Sequence, residues 1–184
     1  MKYVIIGNSA AAVGCVEGIR SVDRTGTVTV ISDEPYPVYS RPLISYLLCG
    51  KTDEEHMKYR PDDFYRKNGV KVLLGRKAVG VDPRRKTVSL ETGEQVPFDR
   101  LLFATGSHPF VPPMEGLESV EKKFSFMKLD DAKALGAALS EKTRVLIVGA
   151  GLIGLKCAEG IRGRVQSIAV VDLADRILPS ILDA

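Results

Sequence analysis

YVIIGNSAAAVGCVEGIR, residues Tyr3 to Arg20, decides the fold. Tyr3 to Ile6 form an apolar run of strand length that stops at Gly7. Small residues follow at Ser9, Ala10, Ala11, Ala12 and Gly14, while Val13, Val16 and Ile19 recur at helical spacing. A buried strand, a tight turn of small residues and a helix, in that order, open a nucleotide-binding βαβ unit. The first N–H groups of a helix have no partner within it, and its dipole leaves that end partly positive, so a pyrophosphate fits there. Gly7, Ser9 and Ala12 take the three positions of a GxGxxG pattern, with Ser9 bringing a Cβ where the phosphate approaches closest. Taken by itself, the stretch also reads as a plain strand–helix turn.

A second unit resolves that choice. VLIVGAGLIG, Val145 to Gly154, sets Gly149, Gly151 and Gly154 in full GxGxxG spacing after an apolar run. A helix pattern follows over Gly151–Arg162, and a strand over Ser167–Val171 ends in Asp172. Two such units predict two dinucleotides. An acid at the end of the second strand accepts hydrogen bonds from the adenosine ribose, and a carboxylate there repels a 2′-phosphate. Asp172 therefore favours NADH over NADPH. In the first unit the second strand is predicted over Thr27–Ile31, and either Asp33 or Glu34 takes the ribose role, unless both are solvated loop acids.

Composition excludes several classes. The 184 residues are 45% hydrophobic with a net charge of +3, and the two signs are interspersed. There is no basic face with aromatic platforms for nucleic acid, and no apolar run of membrane-spanning length. The chain opens directly on a strand pattern, so no secretory leader and a cytoplasmic location are expected. Cys15, Cys49 and Cys157 are far apart and read as reduced thiols, with Cys15 and Cys157 as small core residues. Two histidines without a cysteine or carboxylate cluster predict no metal site, and His108 reads as a loop residue.

Between the two units, PYPVYSRP (Pro35 to Pro42) is a stiff loop that holds Arg41, a guanidinium suited to a phosphate or else to the surface. Leu43–Leu48 reads as a helix ended by Gly50, Thr52 with Glu55 as the capping box of a short helix, and Pro61 as the start of another. From Val70 the period becomes two. Val70–Leu74, Arg76–Val81, Thr87–Leu90 and Gln95–Phe98 read as a small antiparallel meander, and Arg100–Ala104 as a buried strand ending at Thr105-Gly106. PFVPP, Pro109 to Pro113, marks a boundary, and a helix starts at Leu129-Asp130-Asp131. The predicted fold class is α/β: a Rossmann-like three-layer FAD/NAD(P)-binding fold with a small antiparallel β-meander, plus a partial second Rossmann unit. The expected domains are 1–112 and 113–184.

VIIGNSAAA, SDEPYPVYSRPLIS, LLFATGSHP, VPPMEGLE and VLIVGAGLIGLKCAEGI together resemble the FAD-dependent pyridine nucleotide–disulfide oxidoreductases. The nearest branch resembles the NADH-dependent reductases that serve rubredoxin, ferredoxin or nitrite reductase. The resemblance implies FAD in the first unit and NADH in the second, with electrons passing to an acceptor such as a small electron-carrier protein. It implies FAD contacts at Gly7, Ser9 and Ala10 under the pyrophosphate, Asp33 or Glu34 at the ribose, and Arg41 at phosphate. It places Val79 beside the adenine and Ala104, Thr105 and Gly106 along the cofactor. For NADH it implies Gly149, Gly151, Leu152, Ile153 and Asp172. No catalytic side chain is assigned, because the cofactors carry the chemistry.

Two positions depart from the family pattern. Tyr46 stands where a flavin-proximal lysine often follows the serine, and Lys156 where a glutamate is common. The C-x4-C pair of the disulfide reductases is absent, while Cys49-Gly50 echoes the Cys-Gly of single-cysteine peroxidases and oxidases at a later position. A Cys49-dependent peroxidase, oxidase or disulfide reductase is the enzymatic alternative, and a nucleotide-binding module without turnover the non-enzymatic one. Only two parallel strands fall in the second unit, so a truncated second domain, weak or absent flavin in this length of chain and a homo-oligomer are also expected.

Overall fold

The computed structural model describes residues 1–178 and 181–182. Two compact units emerge: Met1–Ser40 with Lys58–Ser107, and Arg41–Met57 with His108–Ala184.

In the first unit β1 (Lys2–Ile6) is followed by α1 (Ala10–Val22) and β2 (Thr27–Ile31). Two short elements come next, α2 (Ile44–Leu48), which belongs to the second unit, and α3 (Phe64–Lys67). The strands β3 (Val70–Leu73), β4 (Ala78–Asp82), β5 (Thr87–Leu90), β6 (Gln95–Pro97) and β7 (Arg100–Phe103) complete it. A parallel sheet runs β3-β2-β1-β7, and an antiparallel one runs β4-β5-β6.

Alternation along β1 and β2 explains the layers, since successive side chains of a strand point to opposite faces. Ile5, Val28 and Val30 pack with Val13 and Val16 of α1 and with Phe64. Val4, Ile6 and Ile31 point the other way and pack with Val88, Leu90 and Val96 of the meander. Helices, sheet and meander are thus the three layers expected.

One strand changes sheet. Val70–Leu73 pairs in parallel with β2 instead of opening the meander. Alternation at Val70 and Val72 fits either partner, and both side chains pack on the helical side of the sheet. Gly75, at φ +62°, then turns the chain into β4. Two helix predictions also shrink. No helix forms at Thr52, because Asp53 rather than Thr52 accepts the N–H of His56, at 2.9 Å, within a turn. After Pro61 a turn precedes α3, which covers only Phe64–Lys67.

The second unit contains α2, α4 (Leu129–Ala138), β8 (Arg144–Val148), α5 (Leu152–Ile161) and β9 (Ser167–Val171). β8 and β9 pair in parallel with Val148 opposite Val171. The helices approach closely: a Cβ on Gly160 of α5 would lie 2.7 Å from the Ser45 carbonyl oxygen of α2. Arg164 links the set by donating to the carbonyls of Leu48 at 3.1 Å and Gly136 at 2.9 Å. Cys157 is buried, as read, and Cys15 is half-buried beside the first core. Burial pushes the Cys157 thiol up to about 11.

Candidate functional site

The two glycine turns share one geometry. Gly7 and Gly149 have φ of +111° and +113°, a region that favours glycine. Each donates its N–H at 2.8 Å to the last carbonyl of the neighbouring strand, Ile31 for Gly7 and Val171 for Gly149. A Cβ on Gly7 would stand 2.0 Å from the Ala104 carbonyl oxygen, so Gly7 is fixed by the close approach of β1 and β7. The Ala104 N–H in turn donates to the Ile6 carbonyl at 2.7 Å, which brings Ala104, Thr105 and Gly106 to the same end of the sheet as Gly7.

Ser9 and Gly151, at the second motif position, are the N-caps of α1 and α5. Their backbones are extended, with φ of −137° and −76°, which explains why serine is tolerated in the first unit. The third position differs between the units. In the second, a Cβ on Gly154 would lie 2.0 Å from the Gly149 carbonyl oxygen; in the first, Ala12 is accommodated and fully buried.

The helix starts at these turns suit an anion. Neither α1 nor α5 has a side-chain cap or an acid in its first turn. At α4 the opposite holds: Asp131 accepts the N–H groups of Met127 and Lys128 at 2.8 and 2.9 Å, and Asp130 adds a second acid. A helix start already holding carboxylates is closed to phosphate, whereas the N–H groups of Ala10–Ala12 and of Leu152–Ile153 are open to it. Open space lies where Cβ atoms would be on Gly149 and Gly151, and Leu152 and Ile153 are exposed.

The strand ends differ. Asp172 accepts the Ala150 N–H at 2.6 Å and the Ala174 N–H at 2.8 Å, so it clamps the glycine turn. Those backbone donors, Ala174 first, hold its carboxyl below the usual carboxylate value. The matching register position in the first unit is Ser32, because Ile31 pairs with Ile6 as Val171 does with Val148. Asp33 and Glu34 lie one and two residues further on. Asp33 is exposed, whereas Glu34 is buried and accepts the Tyr39 hydroxyl at 2.6 Å.

Val79 sits at a bulge in β4. Ala78 pairs with Leu90 and Gly80 with Ser89, which leaves Val79 without a register partner in β5 and its side chain exposed. A bulged residue is left out of the ladder's pairing. Arg41 lies in the second unit and donates to the Met127 carbonyl at 3.3 Å.

The two departures from the family pattern meet. The Lys156 ammonium stands 4.4 Å from the centre of the Tyr46 ring and pairs with Glu159, which keeps its pKa raised. Lys51 reaches the same carboxylate at 3.6 Å. The charge reversal at Lys156 is thus balanced locally. Cys49 is the C-cap of α2, and its thiol donates to the Tyr46 carbonyl at 3.4 Å. Among the described residues there is no cluster suited to a metal and no helix long and apolar enough to cross a membrane.

Fold and turns together define a dinucleotide-binding α/β protein with two βαβ units. The sequence profile described as pyridine nucleotide-disulphide oxidoreductase matches residues 1–184, and the chain belongs to that family. It is 32% identical to the NADH-dependent phenylglyoxylate dehydrogenase subunit epsilon of Aromatoleum evansii, over 99% of this chain and 43% of the relative. Identity to nitrite reductase [NAD(P)H] of Bacillus subtilis is 31%, over 100% of this chain and 23% of the relative. Among solved structures it resembles that of the covalent putidaredoxin reductase–putidaredoxin complex, with a TM-score of 0.85, 26% identity, and coverage of 99% of this chain and 44% of that one. The chain therefore spans less than half the length of the relatives it matches.

Proposed function

We propose that this chain binds FAD through its first βαβ unit and NADH through its second, as part of an oxidoreductase that passes electrons from NADH to an acceptor such as a small redox protein. The carrying observation is the repeated turn: Gly7 and Gly149 in the same conformation, each before a helix start free of caps and acids. Family membership supports the same reading, as do the NADH-dependent name of one relative and the carrier in the putidaredoxin reductase complex. Residues 1–112 are assigned to FAD and 113–184 to NADH, apart from 41–57 and 108–112, which belong to the second compact unit.

In the first unit the N–H groups after Ser9 and Ala10 take the pyrophosphate, Asp33 or Glu34 the ribose, Val79 the adenine, and Ala104, Thr105 and Gly106 the inner part of the cofactor. In the second, Gly149, Gly151, Leu152 and Ile153 take the NADH pyrophosphate and Asp172 its ribose. When bound, the flavin supplies the redox chemistry between the hydride donor and the acceptor. The protein's part is to hold both dinucleotides, and no side-chain acid or base is assigned. The relatives' names differ in their acceptors, so the acceptor is proposed only as a class.

Acid extraction of the purified protein after incubation with FAD and FMN is expected to release FAD, and anaerobic NADH to bleach the flavin absorbance. Release of FMN alone, or of no flavin, would overturn the reading.

A further inference from the structure

Asn8 lies between Gly7 and Ser9 in the first glycine turn, and both ends of its side-chain amide are engaged. Its Nδ2 donates to the Tyr36 carbonyl at 3.3 Å. Its Oδ1 accepts from the Tyr65 hydroxyl at 2.8 Å. The same hydroxyl oxygen accepts the Val38 N–H at 3.0 Å. The orientation of the amide is set by its partners, because a carbonyl can only accept and so requires the NH2 end.

Tyr65 is placed to serve as this relay. It follows buried Phe64 in α3, its ring stands edge-on to Phe64 with centroids 5.3 Å apart, and it packs against the core that contains Val13, Val16 and Val38. Burial raises its pKa above the ordinary tyrosine value, so the hydroxyl keeps the proton it donates.

Tyr36 and Val38 belong to the loop that follows β2, just after Ser32, Asp33 and Glu34. Tyr39 extends the bracket, with its ring edge-on to Tyr36 at 6.3 Å and its hydroxyl on the Glu34 carboxylate. One side-chain bracket therefore joins the glycine turn to the loop at the end of β2, although these segments are 28 residues apart in sequence.

We propose that Tyr65 and Asn8 are positioning residues for FAD, their bracket fixing the spacing between the turn under the pyrophosphate and the loop that takes the adenosine ribose. The inference rests on the first unit being the FAD site. Neither residue needs to touch the cofactor. Their effect is to hold two walls of the cradle at a set distance before binding, so that less order is lost when FAD arrives.

The test is calorimetric titration of the chain with FAD and, separately, with NADH, using Tyr65→Phe, Asn8→Ala and the double variant. Each single substitution is expected to weaken FAD binding about tenfold, as loss of a buried hydrogen bond does. The double variant should be no weaker than the weaker single one, because both remove the same bracket. NADH affinity should stay within about twofold, since the bracket lies outside the second glycine turn. Unchanged FAD affinity, additive losses, or an equal loss of NADH affinity would overturn the proposal, the last indicating a purely structural role. Should Tyr65→Phe fail to fold, Asn8→Ala leaves the tyrosine in place and must show the same FAD-selective loss by itself. Absence of FAD binding by the unsubstituted chain would overturn the site reading and this inference with it, whereas FAD binding that the substitutions leave unchanged would overturn this inference alone.

Discussion

Asp172 has one observed task and one proposed one. Its carboxylate holds the N–H of Ala150 inside the glycine turn, and the ribose contact is proposed for the same group. Asp172→Ala should therefore weaken NADH binding and narrow the preference for NADH over NADPH; equal affinity of the unsubstituted chain for the two would contradict the assignment. Asp23 shows the same chemistry without a ligand. It accepts the N–H groups of Gly26 at 2.7 Å and Thr25 at 3.0 Å and the Tyr3 hydroxyl at 3.1 Å. These bonds, Gly26 first and Thr25 next, lower its pKa from 3.8 to about 2. A depressed folded-state pKa gives stability that is present above the unfolded value and is lost as pH falls towards the folded one. The melting difference between the protein and Asp23→Ala should hold above pH 4 and shrink between about pH 4 and 2. A difference independent of pH would contradict the charge assignment. Cys49 offers a third check. Bonded to the Tyr46 carbonyl at a helix C-terminus, it should be replaceable by serine with NADH affinity within about twofold of wild type.

Elements differ in how much of them local sequence specifies. The two βαβ units were legible because their turns depend on neighbouring residues: Gly7 and Gly149 need positive φ, and Gly154 sits where any Cβ would meet the Gly149 carbonyl oxygen at 2.0 Å. Gly154→Ala must therefore push α5 away from its strand, at a cost of about 1–3 kcal/mol, and should weaken NADH binding more than FAD binding. A variant that melts with wild type and binds NADH normally would show that the turn yields freely. The placement of Val70–Leu73 was not legible. Alternation sets which face of a strand is buried, but the choice between β2 and the meander depends on a partner about 40 residues away. The turn at Asp53 was missed for a related reason. Thr52 and Asp53 are both good caps, and only the backbone direction after Gly50 decides which oxygen reaches the N–H of His56. Ser32 and the Asn8–Tyr65 bracket were hidden because their meaning lies in strand register and long-range contact.

At the scale of the whole molecule, the second unit has an uncovered face. Ile147 faces α5, with its Cγ2 3.3 Å from the position of a Cβ on Gly154. Leu146 and Val148 therefore point to the other side, where they neighbour Ala169 and Val171 across the pair. Leu146 is 62% exposed, Val148 52% and Val171 45%. Parallel strands are ordinarily covered on both faces, and full burial of a valine or leucine side chain is worth about 1.5–3 kcal/mol. Two strands make up this sheet among the described residues, so each also presents an unpaired edge. Both features favour association, and in a pure solution of this chain the available surface is a second copy. The chain is expected to form dimers or larger species in light scattering after size exclusion. Leu146→Lys puts a charge on the open face without touching the α5 side, and should shift the equilibrium towards monomer by about tenfold or more, since one lost apolar contact and one desolvated ammonium act together. A chain that remains monomeric at high concentration, melts cooperatively and binds both dinucleotides would show that the open face of β8 and β9 needs no partner.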